Sequence, residues 1–565
     1  MSDIPLGQDA AGRQLHLTAG HRRNTHMHVI GGSGTGKSKF LEWLIRRDVR
    51  EGNGLCVVDW HGTLYNDVLE YYCYHQVGVR RDPLSVVLLN PSRPDFITGF
   101  NPFVGGEGDV SVRVSRRVDA TIRPWGVTNT DETPTFGRIC RLLYTFMIEN
   151  QQTLPNAASL LHFKNRHLRT LAGESFTDSY TRAEWEELQA ITKFPDWKNE
   201  VLSTKNRLMR FVGSKSVRRF MGLQEGNLDL MKVMQEGKIL LVNLGASNYL
   251  DREAARVFAS LLLNEFFETA MHRATLAPPG EKPQTFMLYL DEFQEYITDD
   301  VAAMLDQVRK GGLHLVLAHQ HLGHFADNPR LKKSVLTNAR LRAVFGGLDY
   351  EDASLLANEM FLPDLNTRQI KKAYYHTVHV YEEETRIVKG QSRGTGSGQG
   401  VGGNLMTSGP VENWFTDSNS LHKAESESFN SFESEQEGES ETEVPIFVPI
   451  PVQELGSETE WTREEKVSRV AEMLKCQQQR HCFIKLDTDK TQPLRVPFVR
   501  GFGTSTDWLR EYEGELYSRQ GARPAVEVDR LIDESEQAFL VDLGRPGSSR
   551  ASSAQDADDI EGFLG

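Results

Sequence analysis

Apolar residues fall in two rhythms along this chain, and each rhythm predicts its own kind of element. From 24 to 107, short apolar runs of strand character alternate with helix-spaced apolar positions. Met27-His-Val-Ile30 reads as a strand, and Phe40, Leu41, Leu44, Ile45 and Val49 mark one face of a helix. Gly54–Asp59 and Ser85–Asn90 repeat the buried-strand pattern. Such alternation predicts a parallel α/β sheet. Strand patterns vanish over 108–232, where Ile139, Leu142, Leu143, Phe146 and Met147, and later Leu202 and Leu208, keep helical spacing. This stretch is expected to be an all-helical inserted domain. The α/β rhythm returns over 233–388 in Gly237–Leu244, Phe286–Leu290, His314–Ala318 and Leu341–Phe345, with Thr377–Tyr381 as a further strand. A long apolar helix is expected over Ala254–Ala270. One sheet is therefore interrupted by helices, with 1–23 as an N-terminal arm.

Residues 389–444 break both rhythms. Gly and Ser dominate from Gly390 to Gly403, and alternating glutamates run from Glu425 to Glu443. Such a segment buries too little apolar surface to order itself, so a disordered acidic insert is expected. Order resumes over 445–542, with a helix across Thr462–Gln478 and strands near His481–Leu486 and Pro493–Val499, partly completing the first sheet. A disordered tail is expected over 543–565.

Composition narrows the classes. Hydrophobic residues at 39% and charged residues at 25% fit a soluble globular chain of two or three domains. The net charge of −14 excludes a uniformly basic nucleic-acid binder but not one with a basic face. Arginines in the helical stretch, among them Arg113, Arg117 and Arg219, read first as a solvated helix face, with a nucleic-acid or subunit contact as the alternative. Cys476, His481 and Cys482 could be imagined as metal ligands, but free thiols in a reducing cytosol are the expectation. No signal peptide is recognisable at Met1-Ser-Asp-Ile-Pro5, and no apolar run reaches the roughly 18 residues of a membrane span. A cytoplasmic protein is expected.

Chemistry concentrates at a few places. Gly31-Gly32-Ser33-Gly34-Thr35-Gly36-Lys37-Ser38 lies between a strand and a helix, as a P-loop requires. Its glycines let backbone N–H groups turn inward around an anion at a helix N-terminus. Lys37 can reach β- and γ-phosphates, and the Ser38 hydroxyl can bind Mg²⁺. ATP and Mg²⁺ are the implied ligands. A second apolar strand ends in Asp291-Glu292, where Asp291 would hold the metal's water shell and Glu292 would act as general base. Gln320 ends another strand and could sense the γ-phosphate or the attacking water. Arg309 could point out of its own subunit as an arginine finger, with Arg340 and Arg342 as competitors.

With these stretches, the chain resembles the RecA-like motor ATPases of the HerA/FtsK superfamily, most closely the TraG/TraD-type coupling ATPases of conjugation. Val58-Asp-Trp-His-Gly62, Asn101-Pro-Phe103 and Thr153-Leu-Pro155 add to the likeness. So do Arg309-Lys-Gly-Gly312, His319-Gln320 and Asn338 with Asp349 and Asp352. The resemblance implies a RecA-like P-loop fold, a homohexameric ring and DNA in its central channel. ATP sites would lie between subunits, with Lys37, Ser38, Asp291, Glu292 and Gln320 in one and Arg309 serving its neighbour. Coupling proteins usually begin with membrane helices, whereas the P-loop here begins at residue 31. The expectation is thus a motor without an integral membrane segment, from a mobile element or an antiviral defence operon. The alternative is the ATPase subunit of a larger complex whose effector activity lies in a partner chain.

Overall fold

The computed structural model describes residues 3–75, 85–93, 95–104, 106, 108–122, 134–224, 228–247, 249–278, 281–296, 299–326, 328–389 and 441–542. The expected disordered insert and tail lie, but for residues 389 and 441–444, outside the described residues.

Along the chain the strands are β1 (Ile4–Gln8), β2 (Gln14–Leu17), β3 (Met27–Ile30), β4 (Gly54–Asp59), β5 (Val86–Leu89), β6 (Phe96–Ile97), β7 (Ile239–Asn243), β8 (Phe286–Leu290), β9 (Leu313–His319), β10 (Leu341–Phe345), β11 (Ile370–Lys389), β12 (Glu441–Glu460), β13 (His481–Leu486), β14 (Gln492–Arg495) and β15 (Arg523–Pro524). Eleven of them form one sheet in the order β2-β1-β14-β13-β10-β3-β9-β8-β4-β7-β5. Every pairing from β10 through to β5 is parallel. The remaining pairings, from β10–β13 to β1–β2, are antiparallel. The fold is α/β with a mostly parallel central sheet, as the strand rhythm indicated.

The mostly apolar runs have a direct cause. Every residue of β3, β4, β7, β8, β9 and β10 is buried, because helices cover both faces of a parallel sheet. Helix Lys37–Glu51 follows β3 and stops at Gly52, whose φ of 81° ends the helix in the left-handed region. Among the described residues, 108–232 holds helices and no strand. Its arginines differ from the solvated reading. Arg113, Arg117 and Arg219 are buried. Arg117 pairs with Glu265 and Glu268 at 2.8 Å each, on the long helix Arg252–Leu276, and Arg219 pairs with Asp529 at 2.6 Å. Sequence spacing could not show this, since the carboxylates lie far along the chain.

The N-terminal arm is tied to the core by charge. Arg22 and Asp48 are both buried, and Arg22 Nη2 donates to the two Asp48 oxygens at 2.7 and 2.6 Å. Tyr289 and Asn53 donate to the same carboxylate at 2.6 and 2.8 Å.

The chain leaves this unit at Thr367 and returns at Arg463, rather than at the expected 388 and 445. Between them lies a second unit, Arg368–Thr462. It is a hairpin in which β11 and β12 pair antiparallel from Ile370↔Glu460 to Lys389↔Glu441. Thr377–Tyr381 is thus part of a far longer strand whose partner lies beyond the low-complexity segment.

Candidate active site

Strand register brings five chain segments to one edge of the sheet. Ile30 pairs with His319 and with Val344, Leu290 with Leu317, and Val58 with Leu290. The residues that follow these strand ends (Gly31, Gln320, Gly346, Asp291 and Asp59) therefore gather at the carboxyl ends of the strands, where open α/β sheets bind ligands.

The P-loop forms a turn that only glycine fits comfortably. Gly36 sits at φ 114° and caps helix Lys37–Glu51 with no side-chain acceptor, leaving the first-turn N–H groups directed out of the helix. Gly32 lies so close to Gly347 that a Cβ would come within 2.7 Å of the Gly347 carbonyl. Two later segments brace the loop. Gly32 N donates to Gly346 O at 2.8 Å, and Arg480 N donates to Thr35 O at 3.0 Å. Gln479 adds a bond to Gly34 O at 3.1 Å. Ser33 and Ser38 are exposed, and Thr35 donates to Gly32 O at 2.8 Å.

Lys37 is buried and donates to Gly31 O at 2.6 Å and Gly32 O at 3.0 Å. Burial pushes its pKa down, and the nearby Glu292 and Asp291 carboxylates partly restore it. Asp291 N donates to Val58 O at 3.1 Å, which continues the β4–β8 ladder and sets Asp291 beside Asp59. Burial, Asp59 and then Glu292 push the Asp291 carboxyl up to about 7. Two buried acids lie beside each other here, and Glu292 adds a third carboxylate, so the site has more negative charge than Lys37 can balance. The donor chemistry fits a hydrated divalent cation held chiefly through water and phosphate, since Mg²⁺ keeps several waters and takes only one or two protein oxygens. Among the described residues no cluster of three or more metal-ligating side chains occurs.

Glu292 is the second carboxylate, and its backbone is unusual. Its φ is 49°, a conformation that costs a non-glycine residue on the order of 1 kcal/mol. That turn aims the side chain across the sheet edge. Glu292 Oε1 accepts from Gln320 Nε2 at 2.9 Å, and Oε2 accepts from Gln294 at 2.5 Å. Gln320 is itself anchored through its neighbour. His319 Nδ1 faces the His321 carbonyl at 3.1 Å, and its Nε2 faces His28 Nε2 at 2.6 Å. A carbonyl only accepts, so His319 donates there, and His28 must donate across the pair. Burial pushes His319 down to about 3, which keeps its ring neutral. Strand β3, which enters the P-loop, is thereby bonded to strand β9, which ends at Gln320.

The structure thus brings Lys37, Asp291, Glu292 and Gln320 together beside the P-loop. Arg309 lies elsewhere. It precedes β9, roughly 20 Å of strand from Gln320 at about 3.3 Å per residue, and donates to Asn24 O at 2.5 Å. It cannot serve the site of its own chain. Arg340 immediately precedes β10 and pairs with Asp487 at 3.0 Å. Arg342 is buried within β10 and pairs with Glu359 at 3.5 Å, so it cannot reach outward. Asp59, His28, Gln294 and Arg480 were not among the sequence candidates. Asp59 alone carried a legible signal, an Asp closing an apolar run as Asp291 does.

Among the described residues no helix is long and apolar enough to cross a membrane. All five cysteines are free. No family model matches the chain, and no curated protein matches it. Solved structures resemble it, among them these three. The bacterial conjugative coupling protein TrwB in its unbound deltaN70 form has TM-score 0.48 and 14% identity, over 89% of this chain and 90% of that one. The plasmid coupling protein TrwB in complex with ADP and Mg²⁺ has TM-score 0.48 and 14% identity, over 88% and 91%. VirB4 of Thermoanaerobacter pseudethanolicus has TM-score 0.41 and 13% identity, over 64% of this chain and 88% of that chain.

Proposed function

We propose that this chain is an ATP-hydrolysing motor that couples turnover to movement of DNA. One observation carries the reading: Gln320 of one strand end bonds Glu292 of another, beside the buried Lys37 of a P-loop. This is the arrangement needed to hold a triphosphate and position a water against its γ-phosphate. The P-loop N–H groups and Lys37 cradle the β- and γ-phosphates. Ser38 and Asp291 are the residues that would hold Mg²⁺, whose charge, when bound, neutralises the phosphate oxygens. Glu292 takes the proton of the attacking water as general base. The Gln320 amide fixes the rotamer of that carboxylate and is placed to register γ-phosphate loss. Because Arg309 sits at the far edge of the sheet, it acts as a finger only on a neighbouring subunit, in a ring of six with DNA through its channel.

The test is ATPase rate with and without single- and double-stranded DNA, on protein of measured mass in solution. Glu292→Gln is expected to lose about 10²–10⁴ in turnover while still binding nucleotide. Lys37→Ala is expected to lose binding as well. Full turnover in either variant refutes the site, and turnover indifferent to DNA refutes the motor.

A further inference from the structure

The helix that follows the P-loop carries, at its other end, chemistry that the nucleotide site does not use. Arg46, Arg47 and Arg50 line a cavity of about 190 Å³ together with Trp43, Phe498 and Arg500. Arg46 is committed within the fold: it pairs with Glu42 and donates to the Arg500 carbonyl at 3.0 Å. Its guanidinium also lies 4.8 Å from the Tyr71 ring and 5.2 Å from that of Phe502. Arg47 lies 4.2 Å over the Trp43 ring. Among the described residues, Arg47, Arg50 and Arg500 enter no side-chain ion pair. Burial and the like charge of Arg50 push the Arg47 pKa down, with Tyr71 and Glu51 only partly opposing them. Arg50 sits in the last helical turn, where it complements the helix dipole. Arg500, Phe498 and Phe502 come from a distant segment and have no such role.

Beside these cations runs a row of aromatic rings. Phe502 stacks on Tyr74 at 4.7 Å, Tyr74 on Trp508 at 5.8 Å, and Trp508 on Tyr512 at 5.9 Å. Of these rings Tyr74 is 46% exposed and Trp508 41%, and Phe498, which lines the cavity beside the arginines, is 69% exposed. Contiguous exposed aromatic surface marks an interaction site. Exposed rings interleaved with unpaired arginines suit unstacked bases joined by phosphates. Duplex DNA hides its base faces, and an acidic peptide would have no use for the rings. We propose that this face binds single-stranded nucleic acid, with phosphates on Arg47, Arg50 and Arg500 and bases stacked on Phe498 and the Tyr74–Trp508 row. The face shares no residue with the nucleotide site and needs no hydrolysis to function.

The experiment is fluorescence anisotropy of a labelled oligo(dT) against the full chain across a salt series. Phe498→Ala is expected to bind about tenfold more weakly. Arg50→Ala with Arg500→Ala is expected to flatten the slope of log affinity against log salt by about 1.4, or about 0.7 for each phosphate left without its arginine. All three positions are exposed, and ATPase activity without DNA should stay at the parental rate. Unchanged affinity and slope in both variants overturn the proposal. So does duplex binding as tight as single-strand binding with Phe498→Ala silent, or equal displacement by a poly-glutamate peptide. If oligo(dT) binding needs Phe498 while hydrolysis ignores DNA, the motor reading fails and this one stands. If hydrolysis responds to DNA while oligo(dT) binding ignores all three residues, this one fails alone.

Discussion

Asp291→Asn should make the nucleotide-free protein more stable, by an amount that grows with pH. The carboxyl is buried beside Asp59 and Glu292, and its pKa rises from an ordinary 3.8 to about 7. Folding therefore takes up a proton between these two values. A group with a raised native pKa contributes its full stability below about pH 4 and loses it as pH climbs to 7. The separation of about 3 pH units, at 1.36 kcal/mol each, amounts to about 4 kcal/mol at pH 8. Asparagine keeps the shape and carries no charge, so it escapes that loss. Urea unfolding of both proteins in EDTA at pH 5 and pH 8 reads the difference. The variant's advantage should widen by about 2–3 kcal/mol between the two pH values, while its ATPase activity is lost. Parallel pH–stability curves for the two proteins would refute the argument. So would a variant less stable at pH 8 than its parent.

Three further outcomes are expected. Gln320→Ala frees the Glu292 carboxylate from its 2.9 Å bond and should lower kcat about 10–100-fold with little change in KM, read in steady-state ATPase assays. Gly32→Ala places a Cβ 2.7 Å from the Gly347 carbonyl, so the loop must shift; nucleotide titration should show weakened binding, with a stability cost of about 1–3 kcal/mol. Asp48→Ala leaves buried Arg22 uncompensated and strips Tyr289 and Asn53 of an acceptor, which should cost about 3–5 kcal/mol in thermal or urea melts.

The nucleotide edge of the fold was legible because its signals are local. The P-loop needs glycines at fixed offsets, Asp291-Glu292 follows an unbroken apolar run, and Gln320 follows a largely apolar one, as strands buried on both faces require. What stayed hidden depends on partners distant in sequence. Arg117 and Arg219 look like surface cations until Glu265, Glu268 and Asp529 arrive from other helices. The extent of β11 could not be read, since its partner strand β12 lies across the low-complexity segment, with Val378 opposite Val452 and Val380 opposite Ile450. The ring row joins Tyr74 to Phe502 and Trp508, and no spacing rule spans that separation. Glu292 at φ 49° has no sequence signature at all.

The bracing of the P-loop by Gln479 and Arg480 fixes an order of events during synthesis. The loop is synthesised well ahead of the groups that clamp Gly34 and Thr35, with 445 residues between Gly34 and Gln479. A nascent chain can build its early strands but cannot finish its phosphate cradle until Gln479 and Arg480 have been translated. Ribosome-bound chains halted short of residue 479 should therefore lack firm nucleotide affinity, so that premature turnover is prevented by connectivity alone.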